Sequence, residues 1–131
     1  MLFRSEPVTN WPVPFKFKII SWAFITKELL VGAGGIRVAN LEIGTTNVGT
    51  VVSTCTISIA NATVGTVTQA TGVSGANTGN SGDNLSIEIA SGGTQFTAGS
   101  GTFVIVVQNM DTADAIASLA DHVNNLITAL S

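Results

Sequence analysis

One histidine, one cysteine and eight carboxylates are the side chains of this 131-residue chain best suited to hold a metal or move a proton. His122 stands next to Asp121 in a segment of helical period. A metal centre needs three or four converging ligands, so His122 reads as a solvated flank residue. Cys55 lies among Thr54, Thr56 and Ile57, with no base beside it. A nucleophilic thiol needs a base and a polarised setting, so Cys55 reads as a small buried hydrophobe. Glu42 and Glu88 occupy similar outward positions in NLEI and NLSIEI. Glycosidase chemistry would pair such acids, but no pocket that shifts their pKa values is implied. Asp83, with Asn77, Asn80 and Asn84, offers oxygens for Ca²⁺, yet the D-x-D-x-D-G spacing is absent and turn chemistry accounts for the loop. GAGG at 32–35 lacks the lysine and the strand–helix frame of a phosphate loop. The sequons at Asn61 and Asn84 matter only in a eukaryotic secretory path. No catalytic residue, metal or cofactor is therefore expected, and the chain is not expected to be an enzyme.

The elements around these residues read mostly as strands. Leu85, Ile87 and Ile89 alternate with Asn84, Ser86 and Glu88, the period-two pattern of a half-buried strand. Phe103 to Val107 is an unbroken aromatic and β-branched run, which suits a strand covered on both faces. From Val13 the apolar phase runs through Phe15, Phe17 and Ile19, then slips by one to Ile20, Trp22 and Phe24. Such a slip marks a bulge or two different buried faces. Lys16 and Lys18 fall on the solvent side, where charges also guard an edge strand. Residues 26–35 read as a connection with one helical turn at Lys27 to Leu30. Ile36 to Ile43 is the next strand, with a slip at Ala39 and Asn40. Val48 to Ile59 follows, with Cys55, Ile57 and Ile59 on one face, and then a weaker strand over 64–70. VGTV occurs at 48–51 and 64–67, too few copies for a repeat array. Residues 72–83 (GVSGANTGNSGD) are loop chemistry, either a mobile tip or a loop ordered by a partner.

Period then changes. Ile116, Leu119, Val123, Leu126 and Leu130 follow 3-4-3-4 spacing, with Ala120 and Ile127 beside them. Asp111 can cap this helix, with Asp114 three residues on. The apolar stripe must find a surface. It can cover its own sheet, the favoured arrangement, or meet copies of itself on a symmetry axis.

Composition narrows the functional classes. The charged fraction is 10% and mean hydropathy is +0.47, yet no run of roughly 18 uncharged apolar residues exists. Such a chain is expected to hide surface in an assembly; the alternative is a monomer with a surface coated in Thr and Ser. All five basic residues lie in the first 37 positions, where Glu6 and Glu28 leave a balance of +3, and the remainder carries −6. This polarity suits packing of one surface on its complement. Nucleic acid, which needs a dense basic patch, is not an expected partner. A lone cysteine excludes a disulfide framework. Residues 1–10 show no apolar signal core. Residues 1–12, with Pro7 and Pro12, read as an extended arm whose Leu2, Phe3 and Trp11 lie on a neighbouring subunit or on their own domain.

The segment NLEIGTT (Asn40 to Thr46), the Thr-rich strands after it, and GDNLSIEIASGGTQFTAGSGTFVIVVQNMDTAD (Gly82 to Asp114) resemble small β-sandwich virion proteins of tailed bacteriophages. The likeness spans about residues 36–114 and brings no catalytic residues. It implies a jelly-roll fold and frequent trimers. Some of these proteins decorate or cement the head shell, and others form fibre or baseplate modules.

The expectation is a mainly β protein, an antiparallel jelly-roll-like β-sandwich. Residues 1–12 form an N-terminal arm, 13–110 the sandwich, and 111–131 a C-terminal helix packed on it. The expected function is capsid decoration or cement at the virion surface. A homotrimer would bridge subunits of the major capsid protein, with no nucleic acid or membrane partner. Leu2, Phe3, Trp11, Lys16 and Lys18 would anchor it to the shell. Ile116, Leu119, Val123, Leu126 and Leu130 would form the packing or oligomer helix. The alternative is a tail-fibre or baseplate module binding a receptor or glycan through 72–83 and exposed Asn, Gln and Thr. A small hydrolase would need a pocket with a base, and those residues are missing.

Overall fold

A computed structural model describes residues 8–129 apart from 45–48, 74 and 91. The chain is mainly β, with two antiparallel sheets and one C-terminal helix. The strands are β1 (Val8–Pro12), β2 (Phe17–Val31), β3 (Ile36–Ile43), β4 (Thr50–Ser58), β5 (Val67–Gln69), β6 (Thr78–Gly79), β7 (Asn84–Ile89) and β8 (Ala98–Asn109). The helix α1 (Met110–Ala129) follows β8 without a loop. One sheet has the order β1-β7-β3-β4. The other is built on β2, with β8 along one side and β5 and β6 sharing the opposite side.

Facing sides of the two sheets make the core. From the first sheet come Ala39, Leu41, Cys55, Ile57, Leu85, Ile87 and Ile89. From the second come Phe17, Ile19, Trp22 and Phe24, with Phe103, Ile105 and Val107 partly buried beside them. The expected slip in β2 is present. Its ladder with β8 shifts between Ile19 and Ser21, so Ile20 is extra and 49% exposed, while Trp22 returns to the core.

Several expectations are corrected. In a jelly roll the chain folds like one rolled-up hairpin, so the partner of the second strand precedes the partner of the first. Here β1 pairs β7 and β2 pairs β8, which reverses that order. Residues 8–12 of the expected arm form an edge strand on β7 of their own sheet; residues 1–7 lie outside the described residues. Lys27 to Leu30 is strand, because pairing with β8 overrides local helix preference. The ladder bulges between Thr26 and Glu28 and again between Glu28 and Val31. β3 keeps a regular alternation through Ala39, and its irregularity falls between Leu41 and Glu42.

Within 72–83, residues 77–79 are stitched to β2. Between the short ladders of β5 and β6, Asn77 takes over. Its carbonyl accepts from the Ile19 amide at 2.9 Å and its Nδ2 donates to the Ile19 carbonyl at 2.7 Å. Both backbone groups of a residue flanking the bulge are thereby satisfied, as burial requires.

Candidate assembly surfaces

Reactive side chains do not converge. Among the described residues no group of three or more His, Cys, Asp or Glu could hold a metal. No helix there is long and apolar enough to cross a membrane. His122 is exposed on α1. Glu42, expected outward, is 4% exposed, because Gly49 lies against its side chain. Glu88 is half-buried on the neighbouring strand. Asp83 accepts from the Asn80 amide at 2.8 Å, and its own amide donates to the Asn80 carbonyl at 3.0 Å, which is turn chemistry.

Cys55 is fully buried, and its Sγ donates to the Thr68 carbonyl at 3.4 Å. Burial pushes the thiol up from 9.0 to about 11, against a smaller lowering by the backbone of Phe24. A thiol reagent at pH 8 is expected to leave the folded chain unlabelled and to react as it unfolds. Labelling of native protein within minutes would contradict this burial. The unfolded thiol ionises first, so its share of stability is expected to fall as pH rises from 9.0 towards 11. Urea melts across that window measure it.

Three surfaces are left uncovered. The first is the free side of β8. Among the described residues its ladder runs to β2 alone, and Ala98–Asn109 contains no charged residue and no proline to guard it. The edge of β4, by contrast, is met at its middle by Thr71, whose amide donates to the Thr54 carbonyl at 2.8 Å. The second is the outer face of the β2–β8 sheet. Phe103 to Val107 is not covered on both sides as expected, since Val104 and Val106 are 42% and 47% exposed. An uninterrupted β-branched run satisfies strand propensity whether or not its second face is covered.

Helix α1 is the third. Asn109, not Asp111, caps it, with Oδ1 accepting from the Asp111 amide at 3.0 Å. Lys16 fastens the first turn. Its carbonyl accepts from the Met110 amide at 2.7 Å, its amide donates to Asp111 Oδ2 at 3.3 Å, and its ammonium pairs with Asp114 at 3.3 Å. Beyond that turn the helix leaves the sandwich. Every described side chain from Asp111 to Ala129 is exposed, including Ile116, Leu119, Val123 and Leu126 at 47–65%. The expected packing of this stripe on the sandwich is therefore corrected. The inner face is already filled by the other sheet, and the contacts among the described residues hold the helix at its start. Leu130 lies outside the described residues.

Of the expected anchor residues, Trp11, Lys16 and Lys18 are described, and they lie on β1, just before β2 and on β2. Leu2 and Phe3 lie outside the described residues. Trp11 is 56% exposed on β1 and borders a recess of about 90 Å³ shared with Pro14, Phe15 and Ile105. Lys16 is turned to the helix. Lys18 is exposed on β2, which is flanked on both sides and is no edge strand. The sequence signal for the helix surface was visible in its 3-4 stripe; the open β8 edge had only its missing charges to announce it. No protein-family model, curated protein or solved structure matches the chain.

Proposed function

We propose that the chain is a structural virion protein, a decoration or cement protein that binds the head shell at the virion surface. In this reading it acts as a homotrimer and stabilises the head by bridging subunits of the major capsid protein. The observation that carries the reading is the apolar surface that a single chain leaves in water. Four large side chains of the helix stripe and two on β8 are each more than 40% exposed, a pattern that marks an interaction site when such residues are contiguous. The low charge and the likeness of residues 36–114 to phage virion sandwiches supply the class of partner. Contact with the shell falls to Trp11, with Leu2, Phe3 and Lys18, because Lys16 already has Asp114.

A fibre or baseplate module would place its ligand at 72–83. That loop contains no aromatic side chain to stack on a sugar, and this disfavours the alternative. Co-sedimentation with shells stripped of their accessory proteins tests the cement reading. The purified chain is expected to pellet with them, and Trp11→Ala to weaken retention about tenfold or more. Failure of the parent protein to pellet would remove the cement reading. Unchanged retention of the variant would remove Trp11 as the anchor.

A further inference from the structure

We propose that the exposed stripe of α1 is the seam through which copies of this chain join, helix against helix. The inference rests on the assembly reading above and names the surface that performs it. In heptad terms Ile116 and Val123 take a positions, and Leu119 and Leu126 take d positions. These four are exposed in the single chain. The flanking e and g positions are Ala115, Ala120, His122, Ile127 and Ala129.

Charge placement identifies the occupant. In paired helices the e and g residues choose the partner through ion pairs. Here those flanks hold no acid, no lysine and no arginine, so the seam has nothing with which to select a foreign charged helix. The acids of the helix, Asp111, Asp114 and Asp121, fall at c and f positions, away from the seam. Asp114 is further offset by Lys16. Had these acids stood at e or g, identical copies would repel. As placed, they leave an apolar face that copies can share without like-charge contact, and alanines on both flanks allow close approach. The copy is also the partner always present at equal concentration. Fastening by Lys16 at the first turn holds each helix in a fixed direction from its sandwich, which lowers the ordering cost of bringing copies together. From Ile116 to Leu126 the seam runs about 15 Å along the helix.

Light scattering of the full chain, read across a concentration series, tests this. The parent protein is expected to run as an oligomer. The double variant Leu119→Glu with Leu126→Glu is expected to raise the half-assembly concentration about 100-fold or more, since it takes two leucines out of the seam and puts two acids into it. Its strand signal in circular dichroism should stay unchanged, because the stripe does not touch the sandwich. Asn125→Glu puts an acid on the same helix off the seam and is expected to leave the mass unaltered. A monomeric parent protein would overturn both the seam and the assembly reading. A double variant that keeps the parent mass would overturn the seam alone and leave assembly to another surface. Dissociation by Asn125→Glu to the same degree would also overturn the seam, because any added acid would then suffice.

Discussion

Phe24→Ala is expected to remove about 3–5 kcal/mol of folding stability and to lower Tm by about 10–20 °C. Phe24 is 1% exposed at the centre of β2, tilted at 58° to Phe103 with ring centroids 5.2 Å apart. Trp22 also approaches Phe103, with ring centroids 5.9 Å apart. The Phe24 ring lies over Gly101, where there is no side chain to fill the space it would vacate. Both neighbouring ladders hold β2 in place, with Phe24 opposite Phe103 on one side and Thr68 on the other, so the backbone cannot collapse into the cavity. A total stability of about 5–15 kcal/mol is usual for a domain, which makes this one ring a large share. Urea melts of Phe24→Ala beside Phe24→Leu measure it. A loss under about 1 kcal/mol for the alanine variant would contradict the packing described.

Gly99→Ala is expected to cost a comparable amount, about 3–5 kcal/mol, from two causes that add. Gly99 has φ of +112°, a conformation that L side chains rarely adopt. An added Cβ would also stand 2.7 Å from the Leu29 carbonyl oxygen and 2.8 Å from Leu30 Cα. These are backbone atoms of the bulged end of β2, so the strand itself must move. The start of β8 should lift, and hydrogen exchange over 28–31 should accelerate along with the fall in stability. Gly34→Ala is the control. Gly34 also has positive φ, +66°, but nothing lies within 4 Å of the position a Cβ would take, so only the conformational cost of about 1 kcal/mol remains. Equal losses in the two variants would show that close approach to β2 contributes nothing.

Period and β-branching made part of this architecture legible. Ile36–Ile43 and Asn84–Ile89 are strands over the residues read from alternation. The slip near Ile19 became a bulge, and the 3-4 stripe became a helix. Other features depended on contacts distant in the chain. The end of β2 hid its strand character because two bulges leave Leu29 and Val31 exposed around buried Leu30. The strand order hid because short loops and sheet changes leave no mark on local period. Glu42 hid because Gly49, seven residues on, lies against it. A stripe reports that a helix has something to cover, but not whether the cover is its own sheet. That was settled by the opposing sheet, which already fills the space. The anchor residues were chosen for being apolar or basic near the start of the chain, and Lys16 turned inward to the helix instead.

The direct passage from β8 into α1 has a mechanical consequence. With no slack loop at Asn109 and Met110, a pull along the strand through the helix enters the sandwich at the end of β8. Register with β2 runs from Phe17 opposite Asn109 to Val31 opposite Ala98. If the opposite sheet is held, that force slides β8 along its neighbour. The rungs then share the load together instead of opening one after another, and the junction resists as a shear clamp.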